Sequence, residues 1–292
     1  MSNKMPRPAP DPAKLKLREP VKLFDDLYYA GNYTVGSFII KTSAGLVLID
    51  SSSYEDEYER FLLPSLKKLG LENEKILCLL LTHAHFDHCA GAAMIQQRTG
   101  CDVALSLEDT AYMSYCYENN EPKNRFPLPQ VTVLLKDGQD LVFGDHVIHV
   151  MMATGHTPGC LNFSMEVHDG EETHRFVMMG GFGIFGPGVY PDGEYPYGVL
   201  EAERLALMFA NSCVELWEYA KANNADVFLN PHPQLCDVWT LNEKNQLRRP
   251  GDPNAFVIGL EGVRKWIVNR YDACIQSAQK FTDIQQEYTG QK

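Results

Sequence analysis

Residues 75–88 read Lys-Ile-Leu-Cys-Leu-Leu-Leu-Thr-His-Ala-His-Phe-Asp-His, an apolar run that breaks at once into three imidazoles and a carboxylate. The near-continuous hydrophobicity of residues 75–82 predicts a strand buried on both faces. The six residues after it, His83-Ala84-His85-Phe86-Asp87-His88, are dense in metal-ligand chemistry. Imidazole nitrogen suits zinc, and Asp adds a harder oxygen. In a loop leaving a strand, His83 and His85 can face one way while Asp87 and His88 face another. All four on one tetrahedral ion would leave no open position, so the crowding argues for two metals, and two metals need further ligands.

Working outward, two more histidines stand where a strand is expected to end. His156 lies in Gly155-His156-Thr157-Pro158-Gly159, after a predicted strand at 147–153; the glycines allow a sharp turn that presents the ring. His232 lies in Asn230-Pro231-His232-Pro233, after a predicted strand at 226–229, with its backbone restricted by proline on both sides. His146, His149, His168 and His174 have no such setting and read as ordinary surface or core residues.

The remaining pattern predicts a hairpin of 35–41 with 45–50, a helix over 55–69 ending at Gly70, and a helix over 89–98 stopped by Gly100. Residues 112–130, rich in Tyr, Asn, Pro and charge, read as a long loop. Strands resume at 131–135, and 161–168 pairs with 174–179 through Asp169-Gly170, a strong hairpin signal. Residues 182–197, with four glycines and three prolines, read as a second long loop. A helix over 200–222, a strand over 226–229 and a helix over 256–286 complete the chain. Two halves emerge, each with strands followed by helices. Both long loops fall near the candidate ligands, where long loops are often functional.

The 292 residues are 45% hydrophobic and 22% charged, ordinary for a globular chain. A net charge of −12 counts against a nucleic-acid partner but leaves an anionic small-molecule substrate open, because a metal reverses the local field. The polar, Pro-rich first 20 residues read as a flexible N-terminal arm, and 21–292 as a single domain. No secretory apolar core of about 7–15 residues is visible at the start, and no run approaches the roughly 20 needed to span a bilayer. The expectation is a cytoplasmic protein without a membrane partner, or a periplasmic or secreted one if a leader has been removed; the oligomeric state stays open. The eight cysteines contain no CxxC pair and read as buried free thiols.

With the HxHxDH cluster, the GHTxG loop and a later His after a strand in place, the sequence resembles the metallo-β-lactamase fold superfamily. Its likeness to the subclass B3 metallo-β-lactamases adds Tyr28-Tyr29-Ala30-Gly31-Asn32, the run HAHFDHCAG, GHTPGC followed by a hairpin, and residues 252–268 opening the last helix. The resemblance covers roughly residues 20–280. It implies an α/β fold, a four-layer αββα sandwich with two zinc ions at one sheet edge. It assigns His83, His85 and His156 to the first zinc, and Asp87, His88 and His232 to the second. Asp50 matches a position near the site, where it either supports the ligands or merely closes its strand.

Two departures from relatives matter. Glyoxalase II-like thioesterases and phosphodiesterases of the superfamily place a metal-bridging Asp after the second hairpin, where this chain reads Val177-Met178-Met179-Gly180-Gly181-Phe182-Gly183. The nearest carboxylate downstream is Asp192. This fits the lactamase branch, with Asp87 the only carboxylate ligand and the centre left strongly positive. In several lactamases serines at positions 181 and 183 help hold the substrate carboxylate; glycine at both predicts weak β-lactam turnover that serine would improve. Tyr112, Tyr115, Tyr117, Phe182, Phe185, Tyr190, Tyr195 and Tyr197 are candidates for an aromatic substrate wall, or for loop packing.

The expected chemistry is metal-assisted hydrolysis. The metals lower the pKa of bound water toward about 7, and hydroxide attacks a carbonyl. Asp87 orients the nucleophile and carries its proton as the catalytic residue. The favoured substrate is a β-lactam-type cyclic amide, with a lactone or other ester as the alternative. An iron redox protein would need an additional flavin domain and more carboxylates, and a non-catalytic binding protein would be expected to lose ligands.

Overall fold

The computed structural model describes residues 17–119, 126–184 and 199–289. Two sheets form the centre. The first contains seven strands in chain order: β1 (Val21–Lys22), β2 (Leu27–Gly31), β3 (Gly36–Thr42), β4 (Gly45–Ile49), β5 (Ile76–Leu80), β6 (Asp102–Ser106) and β7 (Val133–Leu135). Pairing is antiparallel up to β4 and parallel from β4 to β7. The second sheet comprises β8 (Asp140–Phe143), β9 (His146–Met152), β10 (Leu161–Asp169), β11 (Glu172–Met178) and β12 (Val227–Leu229), in the order β12-β11-β10-β9-β8.

Side-chain alternation along a strand explains why the first sheet lies inside the molecule. Phe38 and Ile40, Val47 and Ile49, Cys78 and Leu80, and Ala104 enter the core between the sheets. Their neighbours Ile39, Leu46, Leu48, Leu79, Leu81, Val103 and Leu105 enter a second core on the opposite face. Helices α1 (Leu63–Leu69), α2 (Phe86–Cys89), α3 (Ala92–Thr99) and α4 (Leu107–Asn119) contribute Leu66, Cys89, Ile95 and Met113 to that second core. Helices α5 (Val199–Ala222), α6 (Val238–Gln246) and α7 (Gly259–Thr289) supply Phe209, Leu216, Trp239, Ile267 and Cys274 to the core around the second sheet. The order helix, sheet, sheet, helix is the four-layer αββα sandwich that the resemblance implied.

The predicted hairpins, the buried strand and the two late helices occur with small shifts of boundary. One expectation fails: residues 112–119 belong to α4 and are not loop. Their tyrosines and asparagines are poor helix formers in isolation, but Met113 and Asp109 are buried from one side of the helix, so tertiary packing outweighs propensity. The predicted helix over 55–69 begins later, as a π-helical turn at Tyr58–Leu62 running into α1. Residues 1–16 of the expected arm, 120–125 of the first loop and 185–197 of the second lie outside the described residues. Arg18 and Glu19 already touch the body, through a backbone bond from Arg18 N to Gly31 O (3.0 Å) and an ion pair of Glu19 with Lys68 (2.6 Å). All eight cysteines are free thiols, seven of them buried. Among the described residues no helix is long and apolar enough to cross a membrane.

Candidate metal centre

The ligand candidates sit where strands end. His83 follows β5, His156 follows β9 and His232 follows β12, so the two sheets deliver them to one edge. His85, extended at ψ 147°, opens the single turn of α2, which carries Asp87 and His88. His83, His85 and His156 form one group of donor atoms, and Asp87, His88 and His232 a second, the atoms of each lying within 4.8 Å of one another. All six sequence-predicted residues are thus brought together, in the two triplets that the resemblance implied.

Geometry inside each triplet is informative. The rings of His83, His85 and His156 are mutually near-perpendicular (80–83°), with centroids 4.6–4.8 Å apart. His83 Nε2 lies 3.1 Å from His156 Nε2, and His88 Nε2 lies 3.2 Å from His232 Nε2. Asp87 Oδ2 is 3.6 Å from both members of the second pair. The two triplets adjoin, with the His83 and His88 centroids 4.1 Å apart.

The outer nitrogens fix the tautomers. Thr82 Oγ1 lies 2.8 Å from Asp50 Oδ2 and gives its only proton to that carboxylate, so it accepts from His83 Nδ1 at 3.0 Å. His88 Nδ1 donates to Asp50 Oδ2 (2.7 Å), His232 Nδ1 to Thr34 O (2.9 Å), and His156 Nδ1 to Gly183 O. With the four rings neutral, each Nε2 turns a lone pair inward. Lone pairs 3.1–3.2 Å apart repel unless a cation lies between them, and tetrahedral zinc with Zn–N bonds of about 2.0–2.1 Å puts its nitrogens about 3.3 Å apart. The donor set fits zinc.

Burial pushes His83 and His156 well below the usual imidazole range, His85 down to about 4, and His232 down as well. These rings stay neutral, as ligands must. His88 moves the other way: burial opposes its charge, but Asp87 and Asp50 outweigh it. Burial works to raise Asp87, but the neighbouring histidines, His88 foremost, outweigh it and hold the carboxyl low.

Supporting residues escaped the sequence reading. Asp109, fully buried on α4, ties the two loops of the first triplet together. It accepts from Ala84 N (2.7 Å), Thr157 Oγ1 (2.7 Å) and Gly159 N (2.6 Å). Burial raises its pKa to about 6 against those three donors. Its local signal, Ser106-x-x-Asp109, is only a helix-capping pattern, and Ser106 Oγ does accept from Asp109 N (3.2 Å). Asp50, left open between two readings, holds His88 Nδ1 and Thr82 and so supports both triplets. Nor was Thr34 anticipated; its carbonyl follows Tyr33, a half-exposed ring stacked on Trp239 at 5.7 Å.

Of the aromatic candidates, Tyr112 stands edge-on to His85 (6.3 Å), whereas the Phe182 ring lies under the Arg270 guanidinium (4.0 Å). Phe185, Tyr190, Tyr195 and Tyr197, with Asp192, lie outside the described residues. At position 181, a Cβ would fall 2.5 Å from both Cβ and Cγ of His156. The expectation that serine there improves substrate binding meets this contact: a side chain at 181 requires the candidate ligand His156 or the backbone to shift.

This is the metallo-β-lactamase fold. The family model described as the metallo-beta-lactamase superfamily matches residues 31–169, which include five of the six candidate ligands. Among solved structures, the subclass B3 metallo-β-lactamase BJP-1 of Bradyrhizobium japonicum is 25% identical, with a TM-score of 0.73, covering 91% of this chain and 96% of that one. The FEZ-1 metallo-β-lactamase of Legionella gormanii is 26% identical, with a TM-score of 0.72, covering 97% and 98%. Curated relatives differ in name. The hydroxyacylglutathione hydrolase GloC of Haemophilus influenzae is 30% identical over 146 residues, 48% of this chain and 64% of that protein. Matches to the first three such relatives span only 37–64% of their lengths. The superfamily match and the two ligand triplets support a metal-dependent hydrolase.

Proposed function

We propose that this chain is a binuclear zinc hydrolase that opens a cyclic amide of the β-lactam type. The observation that carries the reading is the pair of inward-facing Nε2 couples, 3.1 and 3.2 Å apart, with every outer nitrogen of those four rings already engaged. His83, His85 and His156 would hold one ion, and Asp87, His88 and His232 the other. Zinc there supplies Lewis acidity toward a carbonyl oxygen and brings the pKa of a water near 7.

The chain's own residues do the rest. Asp87, whose Oδ2 lies 3.6 Å from two ligand nitrogens and would hold the ion, has its second carboxylate oxygen left to take a proton from the attacking water. As the C–N bond breaks, it returns that proton to the leaving nitrogen. Asp50 and Thr82 hold His88 and His83 so that neither ring turns its N–H toward the substrate.

A second reading, hydrolysis of a lactone, thioester or other ester at the same centre, draws on the likeness to the hydroxyacylglutathione hydrolase. Against the thioesterase pattern stands Gly181: the place of the extra carboxylate is closed by His156. Steady-state kinetics of zinc-loaded protein on a penicillin, a cephalosporin, a carbapenem, an acyl lactone and a glutathione thioester tests the choice. β-Lactam opening supports the first reading; efficient ester or thioester hydrolysis without it replaces that reading with the second.

A further inference from the structure

Far from this centre lies a second constellation of the same composition. Asp26, in the turn between β1 and β2, points Oδ2 at His146 Nε2 (2.9 Å) and at His168 Nδ1 (2.5 Å). His146 opens β9 and His168 lies near the end of β10, so the cluster sits at the opposite end of the second sheet from His156. Six strand rises separate His146 from Met152, on the order of 20 Å. Behind His146, Asp145 Oδ1 takes Nδ1 at 2.8 Å. The two rings are near-perpendicular, 84°.

The composition matches the second triplet, one carboxylate and two histidines whose donor atoms converge within 4.8 Å, although Asp26 stands at hydrogen-bond distance from both rings where Asp87 stands 3.6 Å away. There, Asp50 backs His88 at Nδ1, and Nε2 faces Asp87 and a second histidine. Here, Asp145 backs His146 at Nδ1, and Nε2 faces Asp26 with His168 beside it. A carboxylate behind a histidine, fixing its tautomer and raising its basicity, is the usual support for a metal ligand. Charge makes the same point. A neutral imidazole has one N–H, yet His146 is flanked by carboxylates at both nitrogens, so a positive charge is required at Nε2. A proton there serves Asp26 while His168 Nδ1 donates its own to the same oxygen; a divalent cation can replace both protons, engaging Asp26 Oδ2, His146 Nε2 and His168 Nδ1 together and leaving Nδ1–H to Asp145. Asp26 and His146 are buried, while the His168 side chain is 47% exposed, so the remaining coordination positions open to water.

We propose that Asp26, His146 and His168 form a separate zinc-class divalent cation site that fastens the turn of the first sheet to two strands of the second. It is distinct from the catalytic centre proposed above. Such a site binds the folded chain only and adds to its stability by mass action.

The test compares full-length wild type with His168→Ala and with His168→Gln, whose amide can keep the hydrogen bond to Asp26 without the ligand nitrogen. Each is stripped with chelator, saturated with zinc, desalted and counted by elemental analysis, with circular dichroism confirming the fold. Wild type should retain one zinc more per chain than either folded variant, and zinc should raise its melting temperature further. The comparison is a difference, so it holds whatever number of ions the His83–His232 centre takes. Equal zinc counts in wild type and His168→Gln, both folded, overturn the proposal.

Discussion

The two halves of the candidate centre are built to different standards. The first triplet rests on Asp109, a carboxylate whose oxygens accept from three donors on both ligand loops. The second rests on the segment after β4, where Asp50 (φ 62°) and Ser52 (φ 72°) are both left-handed, a conformation costly to residues with a Cβ. That segment runs on to Glu57, buried with Oε1 unpartnered, and to a π-helical turn, a feature often found at functional sites. Ser51 binds the His88 carbonyl through both N and Oγ (2.8 and 2.9 Å), so the strained segment is fastened directly to a ligand. One half is a hydrogen-bonded clamp whose cost is the burial of Asp109; the other adds left-handed backbone and an unpartnered carboxylate oxygen beside the residue proposed to move the proton. Local rules are commonly broken at working sites, and the asymmetry agrees with the proposed placing of the chemistry in the second half.

Asp87→Asn strikes that half hardest. With the fold kept, kcat should fall by about 10²–10⁴, the usual range for general acid–base catalysis. Wild-type turnover at full metal occupancy would place the chemistry elsewhere.

Glu57 reports the stored cost. Burial raises its pKa from 4.5 to about 7. The folded state therefore holds the proton more tightly than the unfolded state does. Its penalty is fully present above pH 7 and fades as pH falls toward 4.5, amounting to about 3 kcal/mol at 1.36 kcal/mol per unit. Glu57→Gln, which keeps the carbonyl oxygen for Ser53 N, should stabilise the protein by up to about 3 kcal/mol at pH 8 and by little at pH 4.5. Denaturant melts at the two pH values measure this; an unchanged difference between them would show that Glu57 carries no such penalty.

Gly181→Ser probes the clamped half. Overpacking against His156 should cost about 1–3 kcal/mol, read as about a 10- to 100-fold loss of affinity for one zinc in a chelator competition. Unchanged binding with a lower KM for a β-lactam would restore the expectation drawn from sequence. Last, Asp50→Asn should weaken zinc at His88 by about tenfold, the low end for losing a carboxylate behind a ligand histidine.

The ligand candidates were legible because each announces itself locally. His83–His88 follows a doubly apolar strand, and His156 and His232 stand among Gly and Pro at strand exits. The sandwich was legible for the same reason: alternation and turn signals lie within a few residues of one another. Asp109 was not, since its partners stand 25, 48 and 50 residues away and leave no local pattern. The contact of Gly181 with His156 is equally invisible, because a missing side chain has no periodicity. Residues 112–119 misled through composition, their helix being decided by burial of one face.

The reach of the ligand contacts has a kinetic consequence. His83 meets His156 across 73 residues, and His88 meets His232 across 144. Contacts of such separation form only after the long intervening loops close, which makes them late and slow steps in folding. On a chain emerging from the ribosome the first triplet has its residues by His156, but the second has none of its closing geometry until His232 has been made. Under the proposed function, metal capture by that half waits until His232 has been made and brought to His88, and its binding free energy favours folded molecules over partly assembled ones.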